Sequence, residues 1–328
     1  LSNDGQSYDS DYGDFWDRAL LRSRLPGTDL HLVLAWDFMF SGSQQSPESE
    51  FFGQSYDATD DDDVQQFTVA LSSQALTEEE RATRHQAIYL DRRPVFDWGI
   101  YYQYRNQDSE FLPTDGSVAP TITPVDAHFH APDVWARLDW SPAPGEHLHV
   151  EVELAMVIGE IGLIPQTGTS AEIQQSGGAL AIDWTTIENQ LTVGFDTGYA
   201  SGDKAEYFGV RDHHNLGTAN DPNKKLAAFK FDRNFYVDEI LFREVIGTVT
   251  NATYLKPWIQ WDFFSQPDLD LGMRMDIEWG MALRPEATPG NDFNLGVELD
   301  FSLFYQEVGV FRADIVTAFF IPGDAFDL

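Results

Sequence analysis

The sequence predicts an all-β protein: a transmembrane antiparallel β-barrel with about 12 strands visible in this chain and long extracellular loops. Three observations predict it. Polar and apolar residues alternate with period 2 over segments of about 10 to 15 residues, longer than the 5 to 6 typical of soluble strands and enough for a tilted strand to cross a bilayer. The segments carry charge on one face and long aliphatic or aromatic side chains on the other. Short Pro, Gly, Asp and Asn turns take turns with long polar connections, as in bacterial outer-membrane barrels with short periplasmic turns and long outer loops.

Taken in order, strands are expected near Trp16–Leu25, Asp29–Ser41, Val64–Ser73, Val95–Asn106, Pro132–Trp140, Glu146–Gly159, Gly178–Trp184, Gln190–Ala200, Thr248–Phe264, Asp268–Leu283, Asp292–Gln306 and Gly309–Ile321. "HLHVEVELAMVIG" shows the pattern: His147, His149, Glu151 and Glu153 fall on one face, and Leu148, Val150, Val152, Leu154, Met156 and Ile158 on the other. "LPGTD", "SPAPGE", "TTIEN", "SQPD" and "QEVG" are the short turns; Gly42–Asp63, Gln107–Ala131, Glu160–Gly177 and Ser201–Gly247 are expected as long loops. One link breaks the rhythm. "LTEEERATRHQAIYLDRR" reads as a helical insertion over about 77–91, with Thr77 and Glu80 forming a capping box. The whole chain, 1–328, is read as a single barrel domain. Its first strand would descend and its last ascend, so a strand at each end, and about 14 or more in all, is expected in the full protein. A soluble β-sandwich or jelly roll is the competing architecture.

Composition bounds the function. The formal net charge is −34, which argues against nucleic acid as a partner, because neutralising phosphates takes Lys and Arg. The absence of Cys excludes disulfides, thiolate nucleophiles and thiolate metal sites. No apolar run is long enough for a transmembrane helix. The chain starts at Leu1 without a signal-peptide pattern, so a signal is expected to have been removed or to lie outside the chain.

The face opposite the lipid supplies candidate lumen-lining residues: Asp37, Asp97, Arg105, Arg137, Asp139, His149, Glu151, Glu153, Asp183, Asp196, Lys256, Asp262, Arg274, Asp276, Glu278, Glu298, Asp300, Arg312 and Asp314. Acidic rings favour cations; a salt-bridged, merely hydrated lumen is the plainer alternative. Trp140, Trp184, Trp261 and Tyr305 stand just before short turns, where an aromatic girdle is expected. Asp60, Asp61, Asp62 and Asp63 are weak candidates for divalent cations, without the spacing of an EF-hand loop. His128 and His130 are expected roughly 30 Å from His147 and His149, too far for one four-His metal site. No nucleophile elbow, P-loop or zincin motif occurs, so no enzyme activity and no cofactor are expected.

"GYASGDK", "VDEILFREVIGTVTNATYLKP", "LGVELDFSLFYQ" and "FFIPGDAF" resemble the alginate-export and related porin-like outer-membrane barrels, and are most like a family of predicted outer-membrane proteins of myxobacterial type. The resemblance covers most of the chain after about Trp16. It implies a Gram-negative outer-membrane location and a channel role. Alginate does not carry over with it, because the inward set leans acidic where an exporter of an anionic polymer needs Arg and Lys. The expected function is thus a porin-like channel for passive diffusion of small hydrophilic solutes, leaning to cations. A non-conducting structural barrel that binds an envelope partner, and a secreted carbohydrate-binding β-protein, are the alternatives. Expected partners are outer-membrane lipid, lipopolysaccharide and divalent ions at acidic loops.

Overall fold

The computed structural model describes residues 17–39, 64–112, 121–164, 168–204, 208, 224–232, 234–266, 269–307 and 310–327. Strands β1 (Asp17–Arg24), β2 (Leu30–Met39), β3 (Val64–Ser73), β4 (Val95–Leu112), β5 (Thr121–Trp140), β6 (His147–Ile164), β7 (Thr169–Thr186) and β8 (Leu191–Ala200) pair antiparallel in sequence order. β10 (Ala252–Gln266), β11 (Leu269–Ala282), β12 (Asn294–Glu307) and β13 (Phe311–Pro322) continue the same sheet. All twelve expected strands are present. A two-residue strand, β9 (Lys225–Leu226), pairs parallel with the part of β7 that runs past the end of β8. The sheet is meandering and antiparallel throughout its main path; one edge of β1 and one edge of β13 have no strand partner among the described residues.

Two expected loops are corrected. Most of Gln107–Ala131 and Glu160–Gly177 is strand: β4 runs to Leu112, β5 starts at Thr121, β6 runs to Ile164 and β7 starts at Thr169. The alternation persists there with its chemistry inverted. Val125, Ala127, Ile161, Ala171 and Ile173 form a buried cluster on the face that carries charge further down the strands, while His128, His130 and Glu160 point the other way.

The two faces of the sheet meet opposite surroundings. Met275, Ile277, Leu299 and Phe301 are 47, 42, 38 and 40 % exposed, while Asp276, Glu278 and Glu298 are 7, 1 and 0 % exposed. Leu271 and Val297 are half-buried on the same apolar face. The charged face is called inner below, because the chain's own insertions cover it; the apolar face is called outer.

The first insertion is helix α1 (Glu78–His85), extended by a π turn over Gln86–Leu90, at the short-turn end. The capping box is present: the Glu80 amide donates to Thr77 Oγ1 (3.3 Å), and the Thr77 amide donates to Glu80 Oε2 (3.1 Å). Thr77→Ala should therefore cost about 1 kcal/mol of local helix stability. Faster hydrogen exchange confined to the 78–85 amides would show it; unchanged exchange would deny the cap a role.

The second insertion, 224–251, lies on the inner face at the long-connection end. Leu241, Phe242, Val237 and Val249 bury against Ala200, Ala252, Tyr254, Ala282 and Leu295 of the strands. Small wall residues make room for it. A Cβ at Gly280 would stand 2.7 Å from a Leu241 methyl. The short turns have their own demand: Gly145 adopts φ +75°, and a Cβ there would meet Glu188 Cα at 2.6 Å, where the 141–146 and 187–190 turns touch. Among the described residues no helix is long and apolar enough to cross a membrane.

Candidate functional site

Strand alternation places Asp37, Asp97, Arg105, Arg137, Asp139, His149, Glu151, Glu153, Asp183, Asp196, Lys256, Asp262, Arg274, Asp276, Glu278, Glu298 and Asp300 on one face, the inner one. Register runs one transverse row through Asp97, Arg137, Glu151, Ala181, Asp196 and Lys256. A parallel row runs through Asp139, His149, Asp183, Gly194, Trp258, Asp276 and Asp300. Arg312 and Asp314 share this face on the exposed edge strand β13, where Arg312 Nη2 donates to Asp314 at 2.8 Å.

Over β1 to β6 opposite charges pair, although Asp133 and Glu153 stand together as like charges. Asp37, fully buried, takes the Arg18 guanidinium in fork geometry (2.5 and 3.0 Å) and the Gln66 amide (2.8 Å). Asp97 takes Arg137 at 2.8 Å and is also contacted by Arg84 from α1. Arg137 reaches on to Asp139 (3.3 Å), Asp139 to His149 (2.8 Å) and His149 to Glu151 (3.4 Å). Such a ladder satisfies buried charge that would otherwise carry a heavy desolvation cost.

Over β8 to β12 the face is predominantly acidic. Asp276 lies opposite Asp300 and Glu278 opposite Glu298, like charges that repel unless something else answers them. Asp276 is answered by Lys256 (3.3 Å) and Arg274 (2.7 Å), and Arg274 also stacks over the Trp258 ring at 3.9 Å. Glu298 is answered by main chain: the amides of Glu239, Ile240 and Leu241 donate to it at 3.0, 2.8 and 2.7 Å. Its insertion-side neighbour Asp238 accepts the Phe242 and Arg243 amides, and burial pushes the Asp238 carboxyl up to about 6. Lys256 Nζ donates to the Val237 carbonyl. A cavity of about 120 Å³ lies between Glu153, Ala155, Gly177 and the insertion residues Phe229, Phe231 and Phe235.

The outer face carries two aromatic rows. Trp140, Trp184, Trp261 and Tyr305 all alternate onto it beside short turns. A second row, which the sequence reading does not single out, runs in register through Trp36, Phe67, Tyr104 and His130 near the long-connection end. There Trp36 stacks on Phe67 at 5.7 Å, and His130 Nδ1 meets the Tyr102 hydroxyl at 2.6 Å. His128 faces Glu160 at 3.4 Å on the outer face, whereas His147 and His149 gather on Asp139 on the inner face, so the two His pairs do not converge. Among the described residues no group of three or more His, Asp or Glu side chains could hold a metal ion. Asp60, Asp61, Asp62 and Asp63 lie outside the described residues.

Sequence reasoning also passed over Arg18, Arg22 and Arg24. Their period-2 spacing in "RALLRSR" puts them on the inner face opposite Asp37, Val33 and His31. Compared with known proteins, the chain matches no family model and no curated relative.

Proposed function

We propose that this chain is a transmembrane β-barrel of the Gram-negative outer membrane that passes small hydrophilic solutes, with a preference for cations. One observation carries the reading: one face of the sheet is apolar and exposed and the other charged and largely covered, and the apolar band matches the height of an outer-membrane barrel's. On β5, Trp140 and His130 mark the two aromatic rows on the outer face, ten positions apart. At about 3.3 Å per residue this is roughly 33 Å along the strand, or about 23 Å of height at a tilt near 45°. The lipid-facing band of outer-membrane barrels is about 25 Å tall. Beyond it the outer face turns polar, at His128 on β5, Glu160 on β6 and Glu172 on β7.

Water is a poor medium for this exterior, because contiguous aliphatic rows on β10 to β13 would stay wet. That weighs against a secreted carbohydrate-binding protein. Hydrocarbon in turn forbids open strand edges, so the free edges of β1 and β13 require strand partners, and closure into a cylinder belongs to this proposal. Lipid and lipopolysaccharide are the partners of the outer face. The acidic inner surface of β8 to β12 supplies the cation preference.

Reconstitution into planar bilayers tests the reading. Stepwise currents whose reversal potential under a salt gradient has the sign of cation preference are expected. Insertion without current would favour a non-conducting structural barrel that binds an envelope partner, a reading supported by the two insertions on the inner face. A preparation that stays soluble and monodisperse without detergent would remove the membrane from the account.

A further inference from the structure

We propose that α1 is a charge-held gate across the short-turn mouth of the barrel, and that 224–251, although it also lies on the inner face, is fixed. The inference rests on the channel reading above. The helix and its π turn run about 20 Å at 1.5 Å per residue. They cross the inner face from the first strands toward the sixth. Glu80 Oε1 stands 3.3 Å from Arg24 and 3.5 Å from His31, on β1 and β2. Arg84 meets Asp97 on β4. The Tyr89 ring stacks on His147 of β6 at 5.6 Å. Between the helix and the short-turn ends of β1 to β4 lies an open cleft of about 870 Å³, lined by Arg22, Arg24, His31, Glu79, Thr83 and Arg84.

What holds the two insertions differs in kind. The segment 224–251 buries a cluster of large apolar side chains and gives three main-chain amides to Glu298. No residue of α1 itself is buried. At the Glu80 end it is attached by one ion pair to the half-exposed Arg24 and by proximity to the His31 imidazole, and an ion pair that solvent reaches is weak and weakens further with salt. The other end is anchored: Arg92 Nη1 donates to Ser141 Oγ (2.6 Å) and Ala143 O (3.2 Å), and the Trp140 indole donates to the Arg92 carbonyl (3.2 Å). A bar pinned at Arg92 and held at Glu80 by charge swings about the pinned end. Glu80 performs both jobs with separate oxygens, Oε2 in the capping box and Oε1 on Arg24 and His31, so the helix persists when the contact to the wall breaks.

The chain has no Cys, so introduced thiols report without background. Arg24→Cys and Glu79→Cys line the same cavity and spare the capping box. The double variant in a planar bilayer should show roughly two- to fivefold higher open occupancy than wild type, from loss of the Arg24 contact. A cleavable thiol cross-linker spanning the cavity should return it to the wild-type level or below, and cleavage should restore the high level. Arg84→Gln should raise occupancy in the same direction without any cross-linking. Currents that are present but indifferent to cross-linking and cleavage would overturn the gate and leave the channel standing. Absence of current in every form would remove the channel reading, and the gate with it.

Discussion

Met275→Arg is expected to cost about 2–4 kcal/mol of stability in a bilayer and to stop quantitative insertion, because the charge would sit at mid-height of the lipid-facing band. Met275 occupies the middle of the outer row of β11, flanked in register by Ile259 on β10 and Phe301 on β12. Its neighbours in register on the same face offer no carboxylate. Leu299→Arg, in register with Ile277 on the same face, should behave alike. The prediction discriminates strongly because both residues are already exposed, at 47 and 38 %. In a water-soluble β-protein an exposed Met→Arg change falls within about 0.5 kcal/mol of neutral. Folding into lipid vesicles, followed by tryptophan fluorescence against urea, separates the two outcomes. Full retention of insertion and midpoint by both variants would sink the outer-membrane reading.

Why the strands were legible and other features were not follows from how far each signal reaches along the chain. Alternation is local, so "LDLGMRMDIEWGMAL" and "DFNLGVELDFSLFYQE" announce β11 and β12 without knowledge of their partners. The capping box is local too, and α1 lies where it is expected. The upper parts of β4 to β7 do not read as strand because the alternation there changes meaning. Val125, Ala127 and Phe129 turn inward to pack with Val157 and Ile173, and the His residues turn outward, so a rule equating apolar with outward finds no strand. Arg18, Arg22 and Arg24 were legible and were passed over. The docking of 224–251 is a different matter. Its key contact joins Glu298 to amides 57 to 59 positions away, and nothing in "GVELDF" distinguishes Glu298 from Asp300.

That contact supports the other large expectation: Glu298→Ala should loosen the insertion by about 3–5 kcal/mol, since it strands three main-chain donors at once, one buried and two part-buried. Glu298→Gln, which keeps one acceptor oxygen, should recover part of the loss. Asp262→Asn, on the same face near the short turns and bonded to the Gln260 side-chain amide, serves as the near-neutral comparison. Hydrogen exchange at the amides of Glu239, Ile240 and Leu241 reads the effect directly, and limited proteolysis between 224 and 251 reads it independently. Protection equal to wild type in Glu298→Ala would show that the apolar cluster around Leu241 and Phe242 suffices by itself. The same junction fixes the sign of a pH effect. Asp238 faces Glu298, Glu278 and Lys256, and burial raises its carboxyl to about 6. A carboxyl raised in the docked state holds its proton more tightly there than in the free segment. Docking is therefore strengthened at acid pH and weakens as pH rises through about 6. Exchange at the Phe242 and Arg243 amides, which Asp238 accepts, should accelerate over that interval beyond the intrinsic base catalysis of exchange, and Asp238→Asn should remove the dependence.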